Sequence, residues 1–172
     1  PTLIGRADLL FKMQDSDSAG KMYQAILVSH RSGLEAAVVM RMYHRLGVVR
    51  RTLGDRRKAL DMFEKALELD PAHRETLEAI VELQSAQNSW DAVLHTKRGL
   101  MATASAQEKV ELLEQIGSIY KDKLGNQPKA TTAYVEALEV SPEDRRLLQK
   151  LLDLHTEARQ WKMAVETIER IA

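Results

Sequence analysis

The sequence predicts an all-α repeat protein, an α-solenoid of about five stacked antiparallel helical hairpins, and three observations predict it. The chain resembles itself at a fixed offset of 71 residues. Leu53, Gly54, Lys58, Ala59, Ala66, Leu67, Glu68 and Pro71 recur as Leu124, Gly125, Lys129, Ala130, Ala137, Leu138, Glu139 and Pro142. Arg74, Leu77, Leu83, Trp90 and Thr96 then recur as Arg145, Leu148, Leu154, Trp161 and Thr167. Such repetition marks an architecture in which each unit buries its apolar face against its neighbours, and the offset is about twice the ~34-residue period of one helical-hairpin repeat. Helical periodicity runs through nearly the whole chain and strand alternation is absent. Several of the four prolines and eight glycines fall at expected helix boundaries.

The elements follow in order. The first thirty residues read as a poorer hairpin, about 3–14 and 18–30, joined through Asp15-Ser16-Asp17. A long helix over 34–53 is opened by Ser32 with Glu35 three residues on, the spacing of a capping box. Gly54 closes it, and Asp55 caps a helix to about residue 69, where Asp70-Pro71 breaks the chain. Residues 73–87 follow, with Leu77, Ile80 and Val81 on one face and Glu75, Glu78 and Glu82 opposite. Asn88-Ser89 turns the chain into a helix over 90–102, and Ser105 with Glu108 offers a second capping box for a helix to about 124. Gly125-Asn126 leads to a helix ending near Ser141-Pro142, and the last pair covers about 143–158 and 161–171. Ten helices with short connections imply antiparallel neighbours.

Composition narrows the function. At 44% hydrophobic and 29% charged over 172 residues, the chain can bury a continuous core. Lys+Arg and Asp+Glu both number 25, so no net field draws a polyanion or an anionic membrane. The absence of cysteine removes disulfides, thiolate catalysis and Cys-ligated zinc. No apolar run approaches the ~20 residues of a membrane span, and Pro-Thr-Leu-Ile-Gly-Arg is no signal peptide. A start at Pro1 and a stop inside an apolar helical pattern suggest a segment of a longer protein, with the cytoplasm only a default compartment. The histidines (His30, His44, His73, His95, His155) show no metal-ligand spacing on one helix face. No nucleophile motif or phosphate-cradling loop occurs, so the expectation is a non-enzyme without metal, cofactor or small-molecule substrate. The seven methionines are read as core filling rather than an adaptable surface.

Tyr43, Leu46, Gly47, Ala59, Phe63, Ala66 and Pro71 together resemble the tetratricopeptide repeat, in residue type and in spacing. A second clear copy carries Leu113, Ile116, Gly117, Tyr120, Ala130, Tyr134, Ala137 and Pro142, with one extra residue before Gly125. Residues 74–109 match less well, with Val81 and Val93 at positions the family fills with small residues; residues 145–172 keep Ala164 but place Leu152 at the small site. Residues 1–39 match through Ala19, Tyr23 and Ile26 only, as a degenerate hairpin before the repeats 40–73, 74–109, 110–144 and the truncated 145–172. Independently of the family, Gly47 with Ala59 and Gly117 with Ala130 let helix backbones approach, while Tyr43, Phe63, Tyr120 and Tyr134 fill gaps between hairpins. Arg50 stands on the apolar face, its head expected to reach an acid or water.

The resemblance implies a right-handed superhelix whose concave side is lined by the first helix of each hairpin, and a scaffold or adaptor that holds a peptide or protein there. The groove residues it implies are Arg41, His44, Arg45 and Val48, then Glu75, Glu78 and Glu82, then Glu111, Glu114 and Ser118, then Arg146, Gln149 and Asp153. Their charges suggest a basic or mixed-charge peptide, unless Arg41 and Arg45 simply pair with Glu75 and Glu78 across the stack. Some relatives capture the terminal carboxylates of chaperones; His44, Val48, Glu78 and Glu82 at the matching faces argue against that here. Two alternatives stand beside the scaffold. One is a spacer or self-assembly element, since Trp161, Val165, Ile168 and Ile171 would lack a following repeat. The other, weaker, is binding of an acidic partner or nucleic acid by the stretch running from Arg45 through Arg50, Arg51, Arg56, Arg57 and Lys58.

Overall fold

The computed structural model describes residues 2–171. Among these are ten α-helices and no strand. They are α1 (Leu3–Lys12), α2 (Ser16–Ser29), α3 (Ala36–Thr52), α4 (Arg56–Leu67), α5 (Arg74–Ala86), α6 (Trp90–Leu100), α7 (Ala106–Asp122), α8 (Gln127–Val140), α9 (Arg145–Glu157) and α10 (Trp161–Ile171). The chain divides into two compact units, residues 1–88 with α1–α5 and residues 89–172 with α6–α10.

Local chemistry sets the ends of the helices. The side chains of Asp15, Asp55 and Asn126 accept hydrogen bonds from the backbone N–H groups of Ser18, Lys58 and Lys129, satisfying first-turn donors. The Ser105–Glu108 capping box forms with both bonds in place. The box expected at Ser32 does not form. Arg31–Gly33 makes a single 3-10 turn, extended Leu34 turns its side chain onto the apolar cluster of unit 1, and α3 starts only after Glu35, which makes no side-chain cap. Each turn within a hairpin needs one residue with a left-handed backbone: Gly54 (φ 82°) and Gly125 (φ 61°) supply it in the two clearest copies. Gln14, Asn88 and Arg159 adopt the same conformation in the other three, despite their side chains.

Unit 1 is built on Tyr23, Ile26, Met42, Leu46 and Val49, with a second cluster of Phe63, Ala79, Ile80 and Leu83. Unit 2 is built on Val110, Leu113, Tyr134 and the α9 leucines 147, 148, 151 and 154, with Leu94, Ile116 and Ala133 beside them. The glycines do a more specific job than letting backbones approach. A Cβ on Gly47 would stand 2.5 Å from Cε1 of Phe63, and one on Gly117 would overlap the Tyr134 ring. The missing side chain makes room for the aromatic ring of the following helix. In α1 the equivalent small residue is Ala7, fully buried near Tyr23.

Candidate functional site

The candidate surface lies on the first helix of each hairpin, described unit by unit. In unit 1, Arg41 is exposed and has no ion-pair partner among the described residues. Arg45 does not meet Glu75 or Glu78. It pairs with Asp8 of α1, comes within 3.4 Å of the Tyr23 hydroxyl, and lies 5.6 Å from the centroid of the Phe11 ring. Tyr23 is fully buried and donates to Asp8 Oδ1 at 2.7 Å. Burial, and then the bond to Asp8, push the Tyr23 hydroxyl up to about 12. Burial also acts to raise Asp8, but the hydrogen bonds from Arg45 and Tyr23 outweigh it and hold the carboxyl below its ordinary value.

His44 faces inward between α4 and α5 rather than into open groove. Its Nδ1 lies 2.9 Å from Thr76 Oγ1, and Nδ1 of His73 lies 2.7 Å from the same buried hydroxyl. The hydroxyl has one proton and two lone pairs, so at least one of the two imidazoles donates its N–H to Thr76. Burial, and next the nearby His73, lower His44 to about 4. Val48 is half-buried against the Phe63 cluster. Glu75, Glu78 and Glu82 are exposed, as expected, but each has a neighbour: the His73 ring at 3.3 Å from Glu75, Arg74 at 2.9 Å from Glu78, and Arg51 beside Glu82.

The basic stretch is largely engaged. Arg50 donates to Gln24 Oε1 at 2.8 Å, so its head meets a neutral amide rather than an acid. Arg51 pairs with Glu82, and Lys58 with Asp55 at 2.8 Å. Arg56 and Arg57 remain exposed, without ion-pair partners among the described residues.

In unit 2 the side chains converge. Lys97, Glu111, Glu114, Gln115, Ser118 and Arg146 line an open cleft along α7. Glu114 accepts from Lys150 at 2.8 Å and lies 3.8 Å from Arg146, which also pairs with Asp144 at 3.1 Å. Ser118 Oγ is 3.2 Å from the Tyr134 hydroxyl and 3.4 Å from Lys150 Nζ. Exposed Glu111 accepts from Gln107, and Gln149 donates to Asp153 at 3.0 Å. Sequence reasoning missed Asp8, Lys97, Gln115 and Lys150. Repeat register carries the signal for two of them: like Arg45 before Gly47, Gln115 and Lys150 stand two residues before the small-residue sites Gly117 and Leu152.

On α10, Trp161, Val165 and Ile168 are 61%, 54% and 50% exposed. Ile171, expected to share that face, instead packs against the leucine cluster of unit 2, on the same side as buried Ala164 and Thr167. No group of three His, Asp or Glu side chains is placed to hold a metal ion among the described residues. No helix among them is long and apolar enough to cross a membrane.

Tetratricopeptide-repeat models match residues 1–72 and residues 110–144, and the chain belongs to the tetratricopeptide-repeat family. The first match takes in the amino-terminal hairpin, whose motif residues in the sequence are few. Among solved structures, the chain is similar to MamA from Desulfovibrio magneticus RS-1, at 18% identity over 98% of this chain and 90% of that one, with a TM-score of 0.58. It is also similar to a tetratricopeptide repeat protein from Parabacteroides merdae, at 19% identity, 98% and 64% coverage and a TM-score of 0.64. YrrB, described as a TPR protein with an unusual peptide-binding site, aligns at 19% identity, 98% and 82% coverage and a TM-score of 0.58. At these identities the likeness is one of fold. No curated protein matches the chain in sequence. Tetratricopeptide-repeat proteins are in general non-enzymatic modules that bind proteins or peptides, and in that general sense the chain is an interaction scaffold.

Proposed function

We propose that the chain holds an extended segment of a partner protein against the first helices of its hairpins. The observation that carries this reading is the α7 cleft, where Lys97, Glu111, Glu114, Gln115, Ser118 and Arg146 present charged and amide groups from three helices to solvent. Arg41 of α3, Glu75, Glu78 and Glu82 of α5, and Gln149 and Asp153 of α9 offer further polar surface on first helices. His44, Arg45 and Val48 support that surface from beneath, because their own contacts are internal to unit 1. The test is capture of proteins from the source lysate by the native chain, by a Glu75→Lys/Glu78→Lys/Glu82→Lys variant and by a Glu111→Lys/Arg146→Glu variant. A protein held by the native chain, and lost with either folded variant, supports the reading. Identical capture by all three chains contradicts it.

A second reading, self-assembly, is favoured by one observation, the exposed apolar row Trp161, Val165 and Ile168 on α10. Light scattering over a hundredfold range of concentration decides it. A mass that rises with concentration, and falls back with Trp161→Lys, supports assembly; a constant monomer mass rejects it.

A further inference from the structure

The second helix of a hairpin carries a buried small residue and, four positions later, the ring that lies against the first helix. Ala19 is followed by Tyr23, Ala59 by Phe63, and Ala130 by Tyr134, and all six are buried. In α6 the small-residue site is buried Val93, and four positions later stands Lys97. Of the five hairpins, three place an aromatic at this site, α10 places Ile168 after buried Ala164, and α6 alone places a cation.

Lys97 is half-buried and its ammonium donates to one group, the neutral amide oxygen Oε1 of Gln115, at 2.5 Å. No carboxylate acts on it among the described residues, and burial alone holds its pKa below the ordinary lysine value. Arg45 and Lys150, on the first helices, have carboxylate partners in Asp8 and Glu114, whereas half-buried Arg50, like Lys97, donates to a neutral amide, that of Gln24. An ammonium has three N–H donors, and removing it from water without a counter-charge is unfavourable. Glu111, on the same cleft, acts on Arg146 at longer range, and it is exposed, so water solvates it. The Lys97 ammonium is therefore a half-buried charge of the cleft that no carboxylate within ion-pair distance balances among the described residues.

We propose that Lys97 anchors a carboxylate of the bound partner, an aspartate or glutamate side chain, so that the α7 cleft selects an acidic segment over a basic one. This rests on the groove reading above, and it reverses the ligand charge that the glutamate rows of the sequence suggest.

The test uses two N-acetylated, amidated pentapeptides, Glu-Leu-Glu-Leu-Glu and Lys-Leu-Lys-Leu-Lys, titrated at low salt into the isotope-labelled full chain and followed by NMR. The glutamate peptide is expected to shift the Lys97 side-chain signals and to raise the Lys97 pKa toward its ordinary value. Lys97→Met, which keeps the apolar stem, is expected to weaken that peptide at least tenfold, whereas Lys162→Met, an exposed charge control, leaves it unchanged. The pKa readout needs no variant, so misfolding of Lys97→Met does not spare the proposal. Unmoved Lys97 signals, or equal affinity of Lys97→Met and the native chain, overturn it. If the lysine peptide alone shifts α7, the groove stands and the acidic anchor falls. If neither peptide shifts α7 or α9, the anchor falls, and the capture comparison judges the groove by itself.

Discussion

Tyr23 in unit 1 and Tyr134 in unit 2 occupy the same place in the repeat, and each reaches a neighbouring first helix through its hydroxyl. Their surroundings differ. Tyr23 donates to the charged Asp8, which in turn holds Arg45, and the Arg45 and Asp8 side chains are only 23% and 25% exposed. Tyr134 meets the neutral Ser118, while Lys150 lies 5.8 Å from its ring centroid and takes its charge partner from Glu114. Geometry is thus shared and electrostatics is local. The ring and the small residue facing it define the joint, and the polar atoms around the ring can be ionic or neutral. At Phe63 the third such joint has no hydroxyl, and His44 lies at its edge with ring centroids 5.6 Å apart.

The largest effect should come from breaking what the joints share. Gly117→Ala drives a methyl into the Tyr134 ring and should cost about 2–3 kcal/mol, an overpacking penalty; Ala59→Leu in unit 1 should cost ~1–3 kcal/mol for the same reason. Both tryptophans, Trp90 and Trp161, lie in unit 2. Fluorescence melts therefore follow that unit, and hydrogen exchange follows unit 1. An unchanged melt for either variant would refute the packing assignment.

The next effect separates the joints. Asp8→Asn leaves Arg45 without its counter-charge in a partly enclosed place and should cost about 1–3 kcal/mol, whereas Ser118→Ala should cost only about 0.5–1.5 kcal/mol. Equal losses would mean that the ionic clasp adds nothing over the neutral one.

The pH dependence is the third. His44 is held neutral, with its pKa lowered from 6.5 to about 4, so between those values the unfolded chain binds the extra proton. Its stabilising contribution is complete above pH ~6.5 and is lost as pH falls toward 4, on the order of 2 kcal/mol in all. Exchange-monitored stability of unit 1 should fall from pH 7 to pH 5, and His44→Gln should flatten that slope. A slope identical in the variant would show that His44 is not the group behind it.

The smallest effect concerns the turns. Arg159 holds the left-handed conformation that Gly54 and Gly125 hold in the clearer copies, so Arg159→Gly should raise stability by about 0.5–1 kcal/mol. A lower melting temperature would show that the arginine side chain stabilises the turn by other contacts.

Much of this was legible in the sequence because repeats advertise themselves. The ten helices follow from periodicity and breakers, and Asp55 and Ser105 cap where their spacing says. Ser32 failed because a capping pattern cannot reveal that burial of Leu34 governs the local path. The groove was less legible. Helical phase puts Glu75, Glu78 and Glu82 on the exposed face, but phase cannot say that Arg45 turns to Asp8, thirty-seven residues earlier, or that Arg51 takes Glu82. Ion-pair choice depends on which helix lies alongside, a tertiary fact. Lys97 could have been read from the register of Tyr23, Phe63 and Tyr134, but only by asking what stands at the aromatic site of the 74–109 repeat.

The most direct measurement is amide and side-chain hydrogen exchange of the full chain with and without a protein it captures. Partner binding to the first helices predicts new protection on α7 and α9 around Glu111, Gln115, Ser118 and Gln149, with α8 unchanged. Protection confined to α8 or to the exposed row of α10, with the α7 cleft exchanging as before, would contradict it.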